Sequence, residues 1–421
     1  MPPSYYEASG TPRPAYVALA STVTVDVCVI GGGIAGCSAA LHLAERGYRV
    51  ALLEAKRIGW GASGRSGGQV IPGFACEQSK LDELVGKTDA QRMWQISIEA
   101  IALLRERIAR HAIDCDWRDG QLQVGIKPRH RRLLLEWQDD LVRRYDYRST
   151  RMIDEVELHS LIDTHRYCAG LHDNNGGHLN PLKFTLGLAA AASQAGAQIY
   201  EQSPALRLSA GAITSIRTPN GEVRAAHVAL CGNAYLGDLV PALRSRVMPV
   251  GTYIVATERL GEARASTLIR DNSGVTDTNF ILDYFRRSAD HRLLFGGRVS
   301  YSGHDVLDTA HATRKRMLQV FPQLAATKID YAWGGMLDIT RNRAPDFGRI
   351  ADNIYYLQGF SGHGIALTGM AGKLAADAIA GQAERFDLFG KIKHRNFPGG
   401  RVLRTPVLML AMLWYRLRDL L

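Results

Sequence analysis

The stretch Val25-Asp26-Val27-Cys28-Val29-Ile30-Gly31-Gly32-Gly33-Ile34-Ala35-Gly36, with the apolar helical run behind it and Val50-Ala51-Leu52-Leu53-Glu54 beyond, decides the fold. An apolar run breaks at three glycines, changes to helical spacing and is followed by a second apolar run that ends in an acid. This reads as strand, glycine turn, helix, strand. Gly31 lets the chain turn sharply out of the strand, Gly33 lets a diphosphate approach the backbone, and Gly36 lets the helix pack close on the sheet. The diphosphate would sit over Ile34 and Ala35, where unpaired N–H groups and the positive end of the helix dipole favour an anion. Glu54 stands where an acid accepts both hydroxyls of an adenosine ribose and repels a 2′-phosphate, which disfavours NADP. Glycine clusters also occur in ordinary turns. Here strand, helix and terminal acid accompany the cluster, so a dinucleotide is expected.

Working outward, Arg57-Ile58-Gly59-Trp60-Gly61-Ala62-Ser63-Gly64-Arg65-Ser66-Gly67-Gly68-Gln69 is a loop in which five residues are glycine. Such a loop lets backbone N–H groups converge on a ligand, and it directly follows the nucleotide unit. Helices are expected from about Asp82 to His111 and from about Pro128 to Tyr145, with a strand near Gly120 to Ile126 between them. A further segment begins near Gly177, with a helix over Leu182 to Ala195 and a strand over Gln198 to Gln202. The run Val228-Ala229-Leu230-Cys231 ends in Gly232-Asn233-Ala234, again a strand leading to a small-residue turn. Alternating strands at Thr252 to Ala256, Asn279 to Arg286 and Arg292 to Arg298 suggest an antiparallel sheet in a second domain. Ile354-Tyr355-Tyr356-Leu357-Gln358 then runs into Gly359-Phe360-Ser361-Gly362-His363-Gly364 and a helical stretch from Ile365 to Ile379.

A chain of 421 residues suggests two domains. The six cysteines lack CxxC or CxxH spacing, which fits a reducing compartment and neither a disulfide framework nor a metal site. The formal charge is +10; arginines are dense between Arg92 and Arg151, interleaved with acids and with apolar residues at helical spacing, which reads as a solvated basic face. No nucleic-acid motif accompanies it. Met1 to Ala20 lacks the basic start and apolar core of a secretory signal and reads as an extended arm on the folded body, so a cytoplasmic location is expected. Lys391 to Arg418 holds seven Lys or Arg and no acid, with Leu, Met and Trp at helical spacing. That tail would pack on the body or a second subunit, with contact to an anionic membrane surface as the less favoured reading.

Three segments in order, Val29 to Gly36 with Glu54, Val228 to Ala234, and Gly359 to Gly364, resemble the D-amino-acid-oxidase-like family of FAD-dependent amine oxidoreductases. The resemblance covers nearly the whole chain. Gly59 to Gln69, the leader at Ser4-Tyr5-Tyr6, and Phe397-Pro398-Gly399-Gly400 with Leu403-Arg404-Thr405-Pro406 resemble its gamma-glutamylputrescine oxidase branch. The fold implied is α/β: a Rossmann-type, glutathione-reductase-like FAD-binding domain (1–85, 150–245 and 330–385), a smaller α+β substrate domain with an antiparallel sheet (86–149 and 246–329), and a tail (386–421). The resemblance implies that Gly31, Gly33, Ile34, Ala35, Gly36 and Glu54 hold the ADP half of FAD. Ala62, Ser63, Arg65, Ser66 and Gly67 would lie along the diphosphate and flavin. Ala205, in a strand Pro204-Ala205-Leu206, would meet the adenine; Gly232 and Asn233 would close the crevice; and Gly362, His363, Gly364 and Ile365 would meet the flavin pyrimidine. Some relatives attach flavin through a cysteine just before the last motif. Met336 to Arg341 contains none, so noncovalent FAD is expected.

Reduced flavin gathers negative charge at N1 and C2=O, and a helix beginning near Gly364 aims its dipole there. His363 would add a donor, or is a loop histidine bonded to backbone. Tyr284 and Arg286 share a strand face expected to lie over the flavin. Arg298 would clamp a substrate carboxylate bidentately, or pair with Asp283 or Asp290. The cofactor carries the redox step, so no obligatory protein base is implied. The implied activity is oxidation of a small-molecule amine such as a polyamine derivative, with molecular oxygen or an electron carrier as oxidant. An amino-acid or secondary-amine dehydrogenase is the alternative within the fold, and an RNA-binding flavoprotein the alternative outside it.

Overall fold

The computed structural model describes residues 3–279, 282–300 and 306–398, without the side chains of 298–300 and 306–308. Two sheets organise them. The first runs Asp346–Ala351, Ile354–Gln358, Glu222–Leu230, Thr22–Ile30, Val50–Leu53, Gln198–Tyr200, with Arg207–Ser209 and Thr214–Arg217 beside it. Its four central contacts are parallel, and Asp346–Ala351 is an antiparallel edge. The strands read as unbroken apolar runs because helices and loops cover both faces: Val50–Leu53 and Ile354–Gln358 are buried throughout. All residues of the helix Ile34–Ala44 are buried, since it is packed by the helices Pro181–Gln194 and Ile365–Ile379 as well as by the sheet. Small residues permit that crossing: a Cβ on Gly372 would stand 2.3 Å from the Ala35 carbonyl oxygen.

The second sheet runs Ile329–Thr340, Val247–Thr257, Leu293–Ser300, Tyr284–Arg287, Gly274–Asp277, Arg118–Gly125, Ala169–His178, Gln69–Val70, with Thr150–Ile153 on Ala169–His178. It is antiparallel except where Gly274–Asp277 lies parallel to Arg118–Gly125. Period-two alternation sorts its faces. Val255, Phe285 and Phe295 enter one core with Met317 and Phe321, the rings of Phe285 and Phe295 stacking at 5.6 Å. Ile254, Ala256, Leu294 and Trp333 enter the other core, shared with the first sheet. The Rossmann-type sheet joined to a second, largely antiparallel sheet is the expected fold class.

Several local expectations change. The helix expected over Asp82 to His111 is two, Gln78–Val85 and Lys87–Arg110, because Gly86 adopts φ +82° and breaks the hydrogen-bond ladder. Asn279 to Arg286 is strand only from Tyr284, after a separate strand at Gly274–Asp277. Pro204-Ala205-Leu206 is not a strand; the strand begins at Arg207. Thr150–Ile153 and Ala169–His178, placed by sequence with the nucleotide segment 150–245, pair in the second sheet, as do Gln69–Val70 and Ile329–Thr340. The leader is an extended arm only in part, residues 11–20 carrying neither helix nor strand. Ser4 caps a helical turn, Tyr5–Ala8, and Tyr6 is fully buried against Trp333. Of the basic tail, residues 399–421 lie outside the described residues. Among the described residues no helix is long and apolar enough to cross a membrane.

Candidate functional site

The parallel strands Thr22–Ile30, Val50–Leu53, Glu222–Leu230 and Ile354–Gln358 all end at one edge of the first sheet. Their carboxyl ends bring Gly31, Glu54, Gly232 and Gly359 to one crevice, the usual ligand edge of an open parallel sheet. Gly31 turns with φ +112°, and a Cβ there would stand 2.7 Å from the Cys231 carbonyl oxygen. A Cβ on Gly36 would stand 1.9 Å from the Gly31 carbonyl oxygen. The expected reasons for both glycines are therefore present. The helix Ile34–Ala44 starts at Gly33 without a side-chain cap, although the Ile34 N–H donates to Ser63 Oγ at 3.0 Å. The amides of Ala35 and Gly36 have no intrahelical partner to donate to, the condition for an anion.

Glu54 lies one residue beyond its strand, half-buried. Its carboxylate accepts from the N–H groups of Gly32 at 2.7 Å and Lys56 at 2.8 Å. Burial raises its pKa while these donors oppose the rise. Glu201, not singled out by sequence, accepts from Ile58 N–H at 2.7 Å and so ties the start of the glycine loop to the strand Gln198–Tyr200.

The loop continues as a turn, Ala62–Gly64, under the second sheet. A Cβ on Gly67 would stand 2.7 Å from the Tyr284 ring, and one on Gly68 2.0 Å from the Leu179 carbonyl oxygen. Arg65 is buried; its Nε donates to the Gly334 carbonyl at 2.7 Å and its Nη1 pairs with Glu7 at 3.1 Å. The arginine expected along the diphosphate thus joins the loop to the second sheet and the leader. Ser66 Oγ, by contrast, is buried with no hydrogen-bond partner among the described residues, as is Asn233 Oδ1. Orphaned polar atoms are costly inside a protein. Their position on the crevice walls, with the open helix terminus, fits a polar cofactor such as FAD.

The last turn carries unusual backbone: Gly359, Ser361 and Gly362 have φ of +81°, +52° and +92°. Asp338, fully buried, holds it by accepting from the Gly359 N–H while its backbone carbonyl accepts from Ser361 N–H at 3.1 Å. Burial pushes the Asp338 carboxyl up to about 6, against the Gly359 N–H and the Asn233 side chain, which favour its charged form. Sequence reading missed Asp338, since an acid inside a strand gives no signal of its partner 21 residues away. Ile365–Ile379 follows, the helix expected to begin near Gly364, and its N-terminus is uncapped by any side chain.

Two expected roles are corrected. His363 Nε2 lies 2.9 Å from the Pro72 carbonyl oxygen, which only accepts, so Nε2 carries the proton. Burial lowers the His363 pKa to about 4, leaving Nδ1 a bare acceptor at neutral pH. The side chain is the backbone-bonded loop histidine and not a donor to reduced flavin. Arg286 is 3% exposed, and its guanidinium donates to the carbonyls of Gly67, Leu179 and Arg287 and to Tyr6 Oη. It is a joint behind the glycine loop, not a substrate group. Tyr284 shares its face and covers Gly67 and Gly296, with its phenol kept protonated by burial. Arg298 pairs through its backbone with Tyr253, past a bulge at Tyr253/Ile254, and its side chain lies outside the described residues. The alternative partners named for it are engaged: Asp283 with Arg316, and Asp290 with Arg259 and Arg292. Tyr235, also missed, packs on Trp60 at 5.3 Å, and its hydroxyl oxygen accepts from Met336 N–H at 3.1 Å, closing the crevice between the sheets.

The comparisons agree with this architecture. Over 417 residues, 99% of this chain and 98% of the other, the sequence is 42% identical to a gamma-glutamylputrescine oxidoreductase of Escherichia coli (strain K12). It is 39% identical to a probable oxidoreductase OrdL of Haemophilus influenzae, across 99% of this chain and 97% of that one. Among solved structures, glycine oxidase from Geobacillus kaustophilus superposes with a TM-score of 0.72 at 20% identity, covering 88% of this chain and 98% of that one. L-amino acid deaminase from Proteus vulgaris gives 0.74 at 18% identity, covering 90% and 100%. The model of the DAO family, FAD dependent oxidoreductase, matches residues 26–378, and the chain belongs to that family.

Proposed function

We propose that this FAD-dependent oxidoreductase oxidises gamma-glutamylputrescine or a closely related polyamine derivative at the carbon bearing a terminal amine. The observation that carries this reading is the near full-length 42% identity to the Escherichia coli gamma-glutamylputrescine oxidoreductase. With oxygen as oxidant, amine, oxygen and water give aldehyde, ammonia and hydrogen peroxide. FAD, when bound, supplies the two-electron acceptor for the carbon–hydrogen bond broken.

The chain's own residues supply binding, orientation and exclusion of water. Gly33, Ile34, Ala35 and Gly36 would present the helix terminus to the diphosphate, and Glu54 its remaining lone pairs to the ribose. Ala205 would meet the adenine through its backbone. Ser63 and Ser66, with Ala62 and Gly67 as low-bulk backbone, would line the flavin, with Gly232 and Asn233 across the crevice. The amides of Gly362, Gly364 and Ile365 would stabilise the electron-rich pyrimidine by the helix dipole. Tyr284 would form the wall above, and Arg298 is the proposed clamp for the substrate carboxylate. We assign FAD to the first sheet with its helices and the substrate cover to the second. FAD would be noncovalent, since Met336 to Arg341 holds no cysteine. Six free thiols suit a reduced, cytoplasmic setting.

The test is the visible spectrum of the flavin-loaded protein under anaerobic conditions as gamma-glutamylputrescine, putrescine, sarcosine or glycine is added, followed by air. Bleaching by gamma-glutamylputrescine with rapid recovery in air is the expected outcome. Bleaching without recovery would make the chain a dehydrogenase, and bleaching by glycine or sarcosine alone would overturn the substrate class.

A further inference from the structure

Beside Arg286 lies a cavity of about 200 Å³, none of whose lining residues belongs to the glycine loop, that the proposed reaction does not use. A single water needs only about 10–15 Å³ of such space, so the cavity has room for a small molecule. Arg118, Arg286 and Arg287 all line it. Arg118 donates to the Trp117 carbonyl at 2.9 Å and Arg287 to the Ile269 carbonyl at 3.0 Å. Among the described residues, none of the three has a carboxylate within 4.0 Å. Of the acids at the wall, Asp116 is engaged by Lys183 at 2.9 Å, and Glu262 is exposed at the start of its helix. These cations repel one another: burial and Arg118 lower the Arg287 pKa against Glu262 and Asp271, which raise it, and burial, Arg286 and Arg118 lower that of His178 against its bonds to Asn272. An anion would relieve this repulsion.

The remaining polar atoms narrow the ligand. His178 is 1% exposed, and its Nε2 lies 2.7 Å from the Asn272 carbonyl oxygen, so Nε2 carries the proton and Nδ1 is an acceptor. His178 Nδ1 and Asn272 Oδ1 are buried without partners among the described residues, and so is the donor Arg287 Nε. The wall thus asks for a negative group and, next to it, a hydrogen-bond donor. We propose that this cavity is a second ligand site for a small α-hydroxy or α-amino acid, its carboxylate held by Arg118 and Arg287 and its hydroxyl or ammonium by His178 and Asn272. Arg286 forms the shared wall: the guanidinium that meets the ligand also donates to the Gly67 carbonyl and Tyr6 Oη.

The experiment is isothermal titration of the flavin-loaded protein with L-lactate, L-alanine, acetate and inorganic phosphate, with the flavin spectrum recorded in parallel. Arg118→Gln, at an exposed position, and Arg287→Gln are titrated beside it. The expected result is that lactate and alanine bind about tenfold or more tightly than acetate and phosphate. Either substitution then weakens lactate about tenfold or more, and lactate leaves the flavin bands unmoved. Equal binding of lactate, acetate and phosphate would reduce the cavity to unselective anion attraction and overturn the proposal. So would absence of binding at millimolar lactate, binding indifferent to both substitutions, or a lactate-induced shift of the flavin bands.

Discussion

The turns Gly31–Gly36 and Gly359–Gly364 do the same job at the same sheet edge, each delivering a parallel strand into a helix with no side-chain cap. They differ in how closely their glycines are crowded. In the first, backbone crowds the glycines: the missing Cβ atoms of Gly31 and Gly36 would lie 2.7 and 1.9 Å from carbonyl oxygens. In the second, a Cβ on Gly359 would lie 2.6 Å from Thr340 Cγ2, but nothing stands closer than 4.0 Å to a Cβ on Gly362 or 3.4 Å on Gly364. That turn is pinned by the carboxylate of Asp338 and by the bond between His363 and Pro72. The crowding of Gly36 against Gly31 is encoded within a few residues, whereas the crowding of Gly31 against Cys231 and the polar pins of the second turn depend on partners brought from elsewhere in the chain.

Gly36→Ala would test the contrast most severely. It should cost about 3 kcal/mol or more in thermal or denaturant unfolding and release bound flavin, because two rigid elements must separate. A loss below about 1 kcal/mol would show that the helix and strand can move apart cheaply.

Asp338→Asn addresses the second turn through pH. The folded-state pKa of Asp338 is about 6, above its ordinary 3.8, so the folded protein holds the proton more tightly. Its favourable contribution is complete below about pH 4 and is lost as pH rises through 6. Subtracting wild-type from variant unfolding free energy, on flavin-free protein, should give a curve rising across that window by up to about 3 kcal/mol. A flat difference would mean that the carboxyl is not held neutral by burial.

Gly362→Ala should cost only about 1–2 kcal/mol, since φ +92° strains an L residue although space is open. Loss comparable to that of Gly36→Ala would erase the distinction between the turns.

The smallest effect belongs to His363→Ala, about 1 kcal/mol for the bond to Pro72. Because the folded pKa, about 4, lies below the ordinary 6.5, the histidine's contribution is present above pH 6.5 and lost as pH falls through 4, opposite in sign to Asp338. Flavin reduction by the amine, followed by stopped flow, should stay within about threefold of wild type. A loss of 10²–10⁴-fold, about the worth of a general acid, would restore the catalytic role denied here.

The features legible in the chain before folding are local or periodic. The spacing of Gly31, Gly33, Gly36 and Glu54 declares the nucleotide unit because the glycine turn, the helix start and the close pass of Gly36 on Gly31 all fall within one βαβ unit. Alternation around Val255, Phe285 and Phe295 declares a sheet with two faces, because side chains two residues apart share one. Tertiary structure decided the rest. Arg286 lies 219 residues from Gly67 and 280 from Tyr6, and no periodicity announces that a strand arginine will be consumed by a carbonyl and a leader tyrosine. The tautomer of His363 was likewise set by a carbonyl 291 residues away, and the cavity beside Arg286 by four separate segments meeting. Chain-local sterics and hydrophobic period are written in neighbouring residues; the pairing of buried polar groups exists only once distant segments are packed and water is excluded.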